Sequence, residues 1–123
     1  MKRKKTKRRV LLNKLEAIWK LKVKQRDKYT CQYCKVPVQG SNCHAHHIKP
    51  KSIYRRMAYD ISNGITLCYK HHLQFAHLDS TTFTDWFRKT YPKVSIYIEK
   101  RAKEPTKPIK DYELEEWIKA YED

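Results

Sequence analysis

Cys31-Gln32-Tyr33-Cys34, then Cys43-His44-Ala45-His46-His47, then Asn63, then Cys68-Tyr69-Lys70-His71-His72 gather all four cysteines and five of the six histidines of a 123-residue chain. The sixth histidine, His77, follows five residues later. Tetrahedral zinc takes four thiolate or imidazole ligands, and two pairs with a two-residue gap supply them economically. Cys31/Cys34 is one such pair and Cys68/His71 is the other. Cys43 competes with His71, since with the other three cysteines it makes an all-sulfur set. Otherwise it reads as a small buried hydrophobe. The matched spacing favours His71. Four histidines, His44, His46, His47 and His72, are then left over, with His77 as a fifth candidate, which is more than one structural metal needs.

The remaining composition bounds the rest. The length suits one domain with arms. Hydrophobic residues make up 40% and the mean hydropathy is −0.90, so the core is small and a metal is a useful staple. No apolar run is long enough to span a bilayer, and no signal-peptide pattern opens the chain. The expectation is an intracellular, cytoplasmic protein with reduced cysteines, where Cys-x2-Cys reads as a metal site rather than a disulfide. The net charge of +15 favours a polyanionic partner, and DNA is expected, with no membrane and no organic cofactor. Residues 1–28 carry 13 Lys or Arg, while residues 111–123 carry six acids.

Along the chain, residues 1–9 read as a basic arm. Residues 10–27 read as a helix with Leu11, Leu15, Ile18 and Trp19 on one stripe. A knuckle follows at 29–35. Short strands are expected at Cys43–Ile48 and Ile65–Cys68, joined by a long polar loop over 51–64. Tyr69–Leu78 and 82–91 are expected helices, the second capped from Asp79–Thr82 and ended by Pro92. Val94–Ile98 suits a strand or a helix. Residues 105–108 form a linker. Asp111 is expected to cap a final acidic helix that packs on the basic first one.

His46-His47-Ile48, Asn63 and Leu67-Cys68-x2-His71-His72 together resemble the HNH motif of the ββα-metal endonucleases. The flanking pairs resemble the zinc knuckle of many members. The region of Ala76-His77, Phe83 and Trp86 is similar to phage-associated ones. The resemblance covers roughly 26–90 and departs from the usual knuckle in having His71 where a cysteine is common. It implies an α+β fold with a small ββα-metal core, structural zinc and flanking helices, so that 10–104 is the nuclease domain. It implies a metal-dependent DNA endonuclease. His47 would be the general base, and His46 and His72 would hold Mg2+, Mn2+ or another divalent cation. Asn63 would aim His47 or touch the metal.

Some alternatives stay open. Strand neighbours face opposite ways, so His44 with His46 is a second possible ligand pair. His77 stands about 140° round a regular helix from His72, which suits a phosphate contact or a helix-end hydrogen bond better than a ligand. Lys4, Arg8, Lys24, Lys49, Lys51, Arg55 and Arg56 are candidate phosphate contacts. The competing functional readings are a zinc-stabilised DNA-binding module without catalysis and a recombination accessory protein of the phage NinG type.

Overall fold

The computed structural model of the chain describes residues 4–122. Lys2 and Arg3 of the expected arm lie outside the described residues. The first helix, α1 (Lys7–Arg26), begins earlier than expected, because the Thr6 hydroxyl accepts the Arg9 N–H at 3.1 Å and caps it. Lys7, Arg8 and Arg9 are therefore helical rather than part of an arm. Leu15, Trp19 and Val23, spaced four apart, are fully buried. The pattern reading missed Val23.

The helix α1 serves two cores. Leu15, with Leu11 and Ile18, packs on Leu114, Trp117 and Ile118 of α4 (Asp111–Glu122). Trp19 and Val23 lie under a two-stranded antiparallel ribbon of β1 (His44–His47) and β2 (Gly64–Leu67). The register sets His46 opposite Ile65 and His47 opposite Gly64. A Cβ at Gly64 would stand 2.5 Å from the Trp19 ring and 2.6 Å from Val23, so glycine is what lets α1 approach. A lone two-stranded ribbon is marginal in water. Here α1 backs one side, and the segment after β2 backs the other.

That segment was expected to be a regular helix. Instead His71–His77 is π-helical, and the Leu78 N–H reaches back five residues to the Leu73 carbonyl at 3.1 Å. The expected polar loop over 51–64 also carries more structure. It makes two 3-10 turns, Arg55–Met57 and Ile61–Asn63, and buries Met57, Ala58 and Asn63.

Helices α2 (Ser80–Thr90) and α3 (Pro92–Ala102) follow. Val94–Ile98 is thus helical, and Pro92 opens a helix as well as closing the previous one. Asp111 does not cap α4. It stands in the first turn, and Glu113 reaches back to accept the Lys110 N–H at 2.8 Å. Asp111 instead pairs with Arg8 at 3.0 Å, and Lys7–Glu115 and Lys14–Glu122 align the two helices as expected from their charges. The product is a mixed fold of helices around one small sheet, consistent with a ββα-metal core over β1, β2 and the π-helical segment.

Candidate metal centres and cleft

The knuckle is a tight backbone turn. The Cys31 N–H bonds the Val36 carbonyl at 2.9 Å, and the Lys35 N–H bonds the Cys31 carbonyl at 2.8 Å. Lys35 adopts φ 63°, a left-handed conformation that closes the turn. The ligand atoms of Cys31, Cys34, Cys68 and His71 all lie within 4.8 Å of one another. The Cys34 and Cys68 sulfurs are 4.0 Å apart, and the Cys31 sulfur is 3.9 Å from His71 Nδ1. Two thiolates on a tetrahedral zinc stand about 3.8 Å apart, given Zn–S near 2.3 Å, so the donor set fits that ion. Burial pushes the Cys31 thiol up, but backbone hydrogen bonds involving Cys34, Cys68 and Tyr33 outweigh it and hold the group below its ordinary value. Cys43 stands apart in the apolar core, which removes the all-sulfur alternative.

A second cluster joins His46, His72 and His77, again with ligand atoms within 4.8 Å. His72 Nε2 and His77 Nε2 are 3.0 Å apart. A regular helix would hold these two apart. The widened π-helical turn brings residues five apart onto one side, and this corrects the reading of His77 as a doubtful ligand. The same turn lets one short helix aim His71 at the first cluster and its neighbour at the second. His44 is not in the trio. Its Nε2 bonds the Ser41 carbonyl at 2.8 Å, and its ring stacks on His72.

Three imidazoles suit several first-row divalent ions and leave coordination positions open. Burial, reinforced by the neighbouring imidazoles His72, His77 and His47, pushes His46 down to about 3. Burial with His77 and His44 pushes His72 to about 4. Both rings are thus neutral ligands well below pH 6. Lowering the pH from 6 to 5 should therefore cost the Mn2+ affinity far less than three ordinary histidines would, for which its logarithm would fall by nearly three per pH unit. Isothermal titration across that window checks this; a slope near three would show the rings are not pre-neutralised.

His47 ends β1 and points the other way, toward α1. Its Nε2 is 2.9 Å from the Ala58 carbonyl oxygen, an acceptor only, so Nε2 carries the proton and Nδ1 does not. Among the described residues Nδ1 has no hydrogen-bond partner, and no buried side-chain nitrogen or oxygen is left unpaired, so Nδ1 meets solvent. A cavity of about 680 Å3 runs round the strand end and is bordered by His46, His47, His72, His77, Lys51 and Tyr54. Opposite strand faces therefore open on one cleft.

Asn63 is fully buried. Its Oδ1 accepts the Lys49 N–H at 2.8 Å, and its Nδ2 donates to the carbonyls of Lys49 and Met57. Both ends of its amide are bonded to backbone, which ties the end of β1 to the loop after it.

Against known protein families, residues 31–74 match the HNH endonuclease model. This segment is thus similar to an HNH domain. Comparison with curated proteins and with solved structures gives no match. The HNH match contains the knuckle, His46, His47, Asn63 and His72. It stops before His77 and leaves out α1.

The expected phosphate contacts divide around this segment. Lys4 and Arg55 are exposed, and Lys24 is half-buried near the end of α1. Lys49 pairs with Glu99 at 2.8 Å and Lys51 with Glu16 at 2.5 Å. Arg8 is held by Asp111. Arg56 binds the Glu113 carboxylate and the Lys107 and Pro108 carbonyls, pinning the linker before α4. Arg8 and Arg56 are therefore structural ties rather than free cations. Among the described residues no helix is long and apolar enough to cross a membrane.

Proposed function

We propose that the HNH domain hydrolyses DNA phosphodiester bonds, with His47 as general base. The observation that carries this is the Nε2 contact to the Ala58 carbonyl. It fixes the tautomer in which Nδ1 is the free acceptor, beside a three-imidazole cluster on one cleft. Burial first, against the opposing pull of the Ala58 carbonyl, holds the His47 pKa below its ordinary value, so the ring is neutral and basic at pH 7. Nδ1 takes a proton from the attacking water as its oxygen bonds phosphorus, and the P–O bond to the leaving sugar breaks. A Mg2+ or Mn2+ ion held by His46, His72 and His77 would supply Lewis-acid stabilisation of the charge that develops on the phosphate and the leaving oxygen. Asn63 holds the end of β1 to the 49–58 loop, and so keeps His47 and Ala58 in register. Zinc at Cys31, Cys34, Cys68 and His71 would be structural.

Supercoiled plasmid incubated with zinc-loaded protein and Mg2+ or Mn2+ should be nicked or linearised, and a chelator should stop it. Binding without strand breakage in any divalent cation would leave the non-catalytic DNA-binding module as the reading.

For DNA affinity, the unpaired cations matter most. Replacing Lys24 and Arg55 together by glutamine should weaken binding and reduce the salt slope by roughly 1.8, at about 0.9 per phosphate contact. Fluorescence anisotropy from low to moderate salt measures it. An unchanged slope would place the DNA elsewhere.

A further inference from the structure

The aromatic ring stacked on His47 comes from outside the matched HNH segment. The Trp19 indole lies parallel to the imidazole, with ring centroids 3.8 Å apart and planes inclined by 10°. Trp19 is completely buried, and its Nε1–H donates to the Asp60 carbonyl at 2.8 Å, so the indole has one orientation. Gly64, the ladder partner of His47, lacks the Cβ that would collide with this indole. Asp60 and Ala58 lie in the same loop. One loop thus fixes the indole through Asp60 and the imidazole edge through Ala58.

We propose that Trp19 is a positioning residue for His47, its face fixing the plane of the imidazole while the Ala58 carbonyl fixes rotation within that plane. Two constraints are needed. A single hydrogen bond at Nε2 leaves the ring free to swing about that bond, which sweeps Nδ1 across the cleft. A flat, immobile surface 3.8 Å away stops the swing. Parallel aromatic contacts of this kind favour a defined geometry beyond simple area burial. Proton abstraction depends steeply on donor–acceptor placement, and a misplacement of about 1 Å costs about 100-fold. Ordinary core packing explains the burial of Trp19, but it does not require an imidazole as the partner on its face.

This inference rests on His47 being the base, and its test separates the two. Trp19→Phe keeps an aromatic face, whereas Trp19→Leu keeps apolar volume without one. Under saturating DNA and Mn2+, Trp19→Phe should stay within about fivefold of the wild-type kcat, and Trp19→Leu should lose about 10- to 100-fold. DNA and Mn2+ affinities and zinc content should be unchanged in both. Nitrogen-15 spectra should show His47 as a single Nε2–H tautomer in the wild type and in Trp19→Phe, and as a tautomer mixture in Trp19→Leu. Should the leucine variant not fold, the wild-type spectrum decides. His47 ring protons shifted upfield by the indole, in one tautomer, support the clamp; unshifted protons or a tautomer mixture overturn it. Wild-type kcat in Trp19→Leu, or equal losses in both variants, also overturns it. Undiminished cleavage by a His47 variant would instead sink the base assignment while leaving the spectra to report on the stack.

Discussion

Replacing Cys68 by serine should release about one equivalent of zinc and unfold the domain. Cys68 stands where β2 gives way to the π-helical segment, so its thiolate ties the ribbon to that segment. Its sulfur is 3.1 Å from His71 Nδ1 and 4.0 Å from the Cys34 sulfur, and it also accepts the His71 N–H at 3.5 Å. Zinc bound in such sites contributes about 10–16 kcal/mol of apparent free energy, comparable with or greater than the roughly 5–15 kcal/mol that keeps a whole domain folded. A chain with a small, divided core has little else to replace it. Zinc analysis after gel filtration, together with circular dichroism, measures both consequences. Cys43→Ser is the matched control: it should retain zinc, because its thiol packs in the apolar core. A Cys68→Ser protein that stays folded with its zinc would remove the four-ligand assignment.

His47→Gln should abolish cleavage and leave everything else in place. General-base contributions are about 10²- to 10⁴-fold, and glutamine cannot take the proton at neutral pH. Glutamine also fills part of the space above Trp19 and can still donate to the Ala58 carbonyl, so the loop keeps its tie. Zinc content, Mn2+ affinity and DNA affinity should match the wild type, because His47 belongs to neither ligand cluster. Single-turnover plasmid cleavage gives the rate, and anisotropy gives the binding. Cleavage at the wild-type rate would exclude His47 as the base.

The first metal cluster was legible because its ligands come as two local pairs, and a two-residue gap forces each pair onto one turn whatever the rest of the chain does. The pairing of α1 with α4 was legible for a similar reason, in complementary charges on two helical stripes. The place of His77 was not. Helical periodicity assumes 3.6 residues per turn, and nothing in His71–His77 announces a widened turn. The widened turn coincides with one short helix supplying both clusters. Arg8 and Arg56 read as free cations because their partners, Asp111 and Glu113, lie far away in sequence. Trp19 read as ordinary core. Its imidazole partner depends on the ribbon register and on Gly64, and the Ala58 contact uses a backbone carbonyl that no side-chain pattern can reveal.

Diffraction from crystals of the zinc-loaded protein soaked in Mn2+ with a short DNA duplex, recorded on both sides of the manganese edge, bears most directly on the cleft. The expected map holds one manganese at about 2 Å from nitrogens of His46, His72 and His77, with His47 Nδ1 facing the nearest phosphate. Manganese absent from that trio, or a His47 ring turned away from the DNA, would contradict the account.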